Sequence, residues 1–185
     1  PPKGAGEPVD YRRAEVIVSY PFENVGASLP NLMTTVAGNL FELGQFSGLK
    51  LMDMELPQPF ADGYDGPQFG IDGTRRLAGV FDRPFIGTII KPSVGLSPQE
   101  TADLVDTLAE AGLDFIKDDE LIASPGYSTI EARTAAVMPV IDRHADRTGR
   151  KLMYAFNVTG DWDEMKRHHD TVLAAGGTCI MVSLN

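Results

Sequence analysis

The sequence predicts an α/β protein: an N-terminal α+β sheet domain followed by the first half of a (β/α)₈ (TIM) barrel. Three observations carry that expectation. From about residue 85 onward, apolar runs rich in β-branched residues alternate with helical patterns. Their starts recur roughly every 30 residues, the size of one βα unit. The runs are continuously apolar, as parallel strands covered on both faces should be. Residues 14 to 83 follow a different rhythm, with one-sided alternation suited to an antiparallel sheet. The expected division is therefore 1–83 for the first domain and 84–185 for the barrel strands. A whole barrel needs about 250 residues, and this chain has 185 and stops on a strand. It reads as a piece of a longer protein. A doubly wound open sheet is the alternative fold.

The elements follow in order. Pro1 to Pro8 is Pro/Gly-rich and reads as a linker, exposed loop or cut end. Ala14–Tyr20 and Gly48–Pro57 alternate apolar with polar, as half-buried strands do. Ser28–Met33 begins a helix with Pro30 near its start, and a short helix is expected near Asp72 to Phe81. The first barrel strand is Pro84–Lys91. Ser97-Pro98-Gln99-Glu100 is a capping box with proline at the first helical position. Leu104, Val105, Leu108 and Ala111 supply that helix's apolar stripe, and Gly112 ends it. Leu113–Lys117 is the second strand. Ser128-Thr129-Ile130-Glu131 reads as another capping box, and Pro139 inside the following pattern predicts a kink or two short helices. Leu152–Val158 is the third strand. Asp161 opens a third helix, with Met165, Val172 and Leu173 apolar, and Cys179–Leu184 is the fourth strand.

Composition narrows the chemistry. A net charge of -10 and a pI near 4.7 argue against nucleic acid, which calls for a basic footprint, and against an anionic membrane surface. Cys179 is the only cysteine, so no disulfide framework or cysteine zinc site exists, and reducing cytoplasm is the simplest compartment. No signal peptide and no run of 18 apolar residues is visible.

In parallel α/β folds chemistry sits at the carboxyl ends of strands. Three successive strand ends here are polar: Lys91, then Lys117-Asp118-Asp119-Glu120, then Asn157 with Thr159. On a strand, residues two apart face the same way. Lys117 and Asp119 share a face, Glu120 joins them only if the chain turns, and Asp118 points the other way as a structural group. A solvated charge run is the bland reading of the heptapeptide alone; its place among three polar strand ends favours a divalent-metal site. Mg²⁺ wants hard oxygen donors, and Asp119 and Glu120 supply two. Lys117 becomes a third if its neutral amine adds CO₂ to form a carbamate. Asn157 either serves the site or caps its strand. His144, His168 and His169 read as surface residues on helices, and Cys179 as core.

Gly87–Ser97 and Gly112–Glu120, with Thr35–Phe41 and Tyr20-Pro21 upstream and Asn157-Val158-Thr159 downstream, resemble the large subunit of RuBisCO and the RuBisCO-like proteins. The resemblance runs from about residue 14 to the end. It implies Mg²⁺ and CO₂, the latter as a carbamate on Lys117, with Asp119 and Glu120 as the other metal ligands. It implies Lys91 as the acid/base lysine, and Asn157 and Asn39 as substrate-binding residues, Asn39 reaching the site of a neighbouring subunit. The expected partners are a phosphorylated small molecule and a second copy, in a homodimer or multiple of dimers with shared active sites. True RuBisCO carries a second lysine two residues after the first, and here that position is Ser93. The implied reaction is therefore Mg²⁺-dependent enolisation of a phosphorylated keto-sugar or keto-acid, of enolase, isomerase or decarboxylase type. A true ribulose-bisphosphate carboxylase and a non-catalytic relative are the alternatives.

Overall fold

The computed structural model describes residues 12–183. The Pro/Gly-rich opening and Leu184 of the expected fourth strand lie outside the described residues. The chain divides between Gln68 and Phe69 into two compact units.

The first unit contains three short helices, α1 (Phe22–Val25), α2 (Leu29–Ala37) and α3 (Gln58–Ala61), and a 3-10 turn at Asn39–Glu42. Ser28 caps α2 by accepting from Asn31 N, and Pro30 sits in its first turn, where a missing N–H costs nothing. Val25, Leu32 and Phe60 form a small core. Tyr64 packs on Phe60, and its hydroxyl accepts from Leu29 N at 2.7 Å. The two strands expected over Ala14–Tyr20 and Gly48–Pro57 are not formed. An alternating segment becomes a strand only when a neighbour takes up its backbone groups. Among the described residues neither segment pairs with the other or with anything else, and Val16, Ile17 and Met52 stand exposed.

The second unit opens with α4 (Gly70–Ala78), the helix expected near residues 72–81. It continues β1 (Gly87–Ile89), α5 (Pro98–Glu110), β2 (Phe115–Lys117), α6 (Ile130–Thr148), β3 (Met153–Asn157), α7 (Trp162–Ala174) and β4 (Cys179–Met181). The sheet is parallel in the order β1-β2-β3-β4, with Ile89 opposite Lys117 and Lys117 opposite Ala155. That sequential order is the barrel pattern; a doubly wound sheet reverses its order at a switch point.

Local signals explain the helices. Ser97 and Glu100 close a reciprocal capping box at α5, with Pro98 at its first position. Gly112 follows at φ 87°, a left-handed conformation that a residue without a Cβ takes freely. At α6 the cap lies one residue later than expected: Thr129 accepts from Ala132 N, whereas Ser128 is buried and its carbonyl is taken by Arg133. Pro139 does not divide α6, which runs unbroken through nineteen residues. Its neighbours Val137, Met138, Val140 and Ile141 are all buried, and that packing holds the turn where proline lacks a donor.

The main core joins Ile90, Ile116, Tyr154, Phe156 and Val158 of the sheet to Val105, Ala109, Val137 and Ile141 of α5 and α6. At the amino ends of the strands, Ala78, Val80 and Met153 form a second cluster, with Cys179 partly buried against it. Two sequence expectations fail on α7. His168 is buried, since it lies four residues before buried Val172 on the inward stripe, and Leu173 is exposed. His144 is also largely covered, while His169 is open.

Candidate metal and acid-base site

The three polar strand ends converge at the carboxyl edge of the sheet. The ladder runs past the last residue of β1, because Ile90 N donates to Lys117 O at 2.9 Å. Lys91 therefore leaves the sheet beside the end of β2. Its Nζ is paired with Asp119 Oδ2 and lies 3.2 Å from Ser93 Oγ. Lys117, the last residue of β2, donates from Nζ to Glu120 Oε1 at 2.5 Å and lies 3.4 Å from Met181 Sδ on β4. Two lysines and two carboxylates thus interleave across adjacent strand ends.

The turn that lets Glu120 join its neighbours is built by Asp119. Its Oδ1 accepts from Leu121 N at 2.9 Å, and its carbonyl accepts from Ile122 N. Hydrogen bonding from Lys91 holds the Asp119 carboxyl below its ordinary range, and the same contact from Lys117 lowers Glu120. Both acids are kept ionised, as metal ligands must be.

Asp118 turns the opposite way, as strand alternation requires. It is fully buried, and it accepts from Arg133 Nε and Nη2 at 3.2 and 3.1 Å, from Tyr154 Oη at 2.5 Å and from Asn157 N at 2.9 Å. Asn157 is also fully buried. Its Nδ2 donates to the carbonyls of Asp119 and Glu120, and its Oδ1 accepts from Thr159 N and Oγ1. A substrate contact by this side chain would require it to leave those partners. The structure does not describe the side chain of Asn39, whose backbone begins the 3-10 turn of the first unit.

Arg133 and Tyr154 escaped the sequence reading. A signal for the arginine existed: it falls three residues after Ile130 and four before Val137, on the buried stripe of α6. A charge there must carry a buried partner.

Among the described residues no group of three or more His, Cys, Asp or Glu could hold a metal ion. The acid pair becomes a three-donor set only if Lys117 contributes an oxygen. A carbamate does so at the atom that now binds Glu120. The donors would then all be hard oxygens, which suit Mg²⁺, and the residues present fit that ion on this condition.

A sheet in sequential parallel order, with acids and lysines gathered at its carboxyl edge, defines a barrel-type α/β scaffold. Residues 70–185 match the catalytic domain of the ribulose bisphosphate carboxylase large chain, and residues 7–60 match its N-terminal domain. This chain belongs to the ribulose bisphosphate carboxylase large-chain family. It is 61% identical over 175 residues to the 3-oxo-isoapionate-4-phosphate transcarboxylase/hydrolase of Xanthobacter autotrophicus, covering 95% of this chain and 42% of that one. It is 50% identical to the 3-oxo-isoapionate-4-phosphate decarboxylase of Rhizobium etli, covering 94% and 42%. A rubisco-like protein from Burkholderia fungorum superposes with a TM-score of 0.80 at 49% identity, over 90% of this chain and 41% of that structure. The chain spans about two fifths of the length of these relatives. Among the described residues no helix is long and apolar enough to cross a membrane.

Proposed function

We propose that the full-length protein carrying this chain is a Mg²⁺-dependent RuBisCO-like enzyme that removes the carboxyl group of a phosphorylated 3-oxo acid as CO₂. The observation that carries the reading is the interleaved set Lys91–Asp119 and Lys117–Glu120 at neighbouring strand ends. In this reading Asp119, Glu120 and Lys117, once carbamylated by CO₂, hold the ion. When bound, Mg²⁺ supplies positive charge where oxygen charge develops.

The chain's own residues account for the proton. When the carboxyl group leaves as CO₂, the electron pair of the broken C–C bond remains on the α-carbon as an enolate. That carbon must then take a proton. Lys91 is the donor this reading assigns: its Nζ stands at the open edge of the site, paired with Asp119 and touching Ser93. Run in reverse on a ketone, the same group removes an α-proton, so enolisation and decarboxylation share one acid/base. Asn157 holds the acid pair from beneath, and Asn39 of a neighbouring subunit is assigned a substrate contact in a homodimer. The first domain (1–83) would present Asn39 to the barrel (84–185) of its partner.

The names of the relatives favour 3-oxo-isoapionate-4-phosphate or a near analogue over ribulose bisphosphate. Ser93 favours the same side: a neutral hydroxyl stands beside Lys91 where a carboxylase has a second cation. The test is release of CO₂ from 3-oxo-isoapionate-4-phosphate by the full-length protein with Mg²⁺ and bicarbonate. Lys117→Ala should abolish turnover. Full activity in that variant, or incorporation of labelled CO₂ into ribulose bisphosphate by the parent, would overturn the proposal.

A further inference from the structure

We infer that Asp118, with Arg133 and Tyr154, is the positioning unit that sets the turn 117–120 and so aims Lys117, Asp119 and Glu120. The inference rests on the metal-site reading and deepens it. A single carboxylate here collects four donors from three places. They are two nitrogens of Arg133 on α6, the Tyr154 hydroxyl on β3, and the backbone N–H of Asn157 at the end of β3. Asp118 N completes the seam by donating to Ala155 O at 3.0 Å. The carboxylate is thereby locked inward. Side chains of adjacent extended residues alternate, so an inward Asp118 drives Lys117 and Asp119 outward together.

Arg133 extends the same control over the rest of the loop. Its Nη1 donates to Ser128 O at 2.6 Å, and its Nη2 also donates to Ala123 O at 2.7 Å. One guanidinium therefore ties the first residue after β2, the middle of the loop, and the residue before the cap of α6. Asn157 adds the last constraint through the carbonyls of Asp119 and Glu120.

Stability alone is a poor account of this cluster. A buried ion pair exchanged for apolar residues of similar size often leaves a protein equally or more stable. What apolar side chains cannot reproduce is the set of directed bonds that fixes the turn. Partners behind the ligands of a metal site commonly change metal affinity or activity 10- to 100-fold when altered.

The test measures Mn²⁺ affinity of the full-length protein, with bicarbonate present, from the electron paramagnetic resonance signal of free Mn²⁺. Urea midpoints are measured on the same samples. Tyr154→Phe keeps the ring and removes one of the four donors. The double variant Asp118→Leu/Arg133→Met removes both charges of the seam and leaves the Tyr154 hydroxyl and the Asn157 N–H without their acceptor. Mn²⁺ binding should weaken about tenfold in the first and more in the second. Tyr154→Phe should keep its urea midpoint close to the parent's, because Asp118 retains three of its four donors. A purely structural role would not produce that split. Affinity within about threefold of the parent in Tyr154→Phe overturns the inference, and that variant decides alone if the double variant does not fold. A parent that binds no Mn²⁺, or a Lys117→Ala variant that binds as the parent does, overturns the metal reading itself. That result is seen before any Asp118-cluster variant is compared.

Discussion

Strand β2 is flanked by a buried carboxylate at each end, and the two are held in opposite ways. At the amino end, Asp114 takes both guanidinium nitrogens of Arg83 at 2.5 and 2.9 Å, a contact from Arg150, and the Ile86 N–H. The two arginines are roughly 40% exposed, and hydrogen bonding from Arg83 holds the Asp114 carboxyl below its ordinary range. At the carboxyl end, Asp118 meets a guanidinium and a phenol that are as buried as itself. There burial pushes the carboxyl up, against the opposing pull of Arg133. Burial first, then the charge of Asp118, pushes the Tyr154 hydroxyl well above its usual value. The amino-end pair is cheaper to form because its cations stay partly in water. The carboxyl-end pair is costly, and it stands directly under the residues proposed to do chemistry. That contrast matches the division in barrel folds between a stabilising amino face and a catalytic carboxyl face.

The sharpest way to break the contrast is at its surface. Lys91→Met should lower kcat of the full-length protein about 10³-fold, the range of a lost general acid or base. Its side chain is 62% exposed, so its pair with Asp119 is screened and the urea midpoint should move little. A midpoint shift of similar size would make Lys91 a structural residue instead. Next comes Arg133→Ala, which leaves Asp118 charged and without its cation. That loss should cost about 3–5 kcal/mol in urea unfolding.

What could be read in the sequence followed local rules. The α5 capping box, the glycine after it and the order of βα units need only neighbours in the chain, and each appears where expected. The shared facing of Lys117 and Asp119, and the opposite facing of Asp118, follow from alternation alone. Partners across elements were not legible. Nothing near Asp118 in the sequence names Arg133, fifteen residues on, or Tyr154, thirty-six residues on. The first unit failed for the same reason. Ala14–Tyr20 and Gly48–Pro57 have strand-like alternation, but a strand is a property of two segments, and alternation describes only one.

Asp114→Asn probes the amino end more gently. It keeps an acceptor for one arginine but loses the charge, and should cost about 2 kcal/mol. Mn²⁺ affinity should stay at the parent value. The pH dependence has a definite sign. Asp114 has a lower pKa folded than unfolded, so the unfolded chain binds more protons in the acid range. Its contribution is complete above the ordinary carboxylate range, and it is lost as pH falls below about 4 through the folded value. Thermal midpoints of the parent should therefore fall on acidification more steeply than those of Asp114→Asn. Parallel curves would deny Asp114 that role.

The smallest expected effect separates redundancy from burial. Arg83→Ala removes the bidentate partner of Asp114 but leaves Arg150 and the Ile86 N–H in place. Arg83 is also partly solvated, so its interaction is screened. The loss should be well under that of Arg133→Ala at the other end of the strand. Equal losses for the two arginines would mean that burial and partner count do not distinguish the ends of β2. The carboxyl-end cluster would then need no explanation beyond the one that serves the amino end.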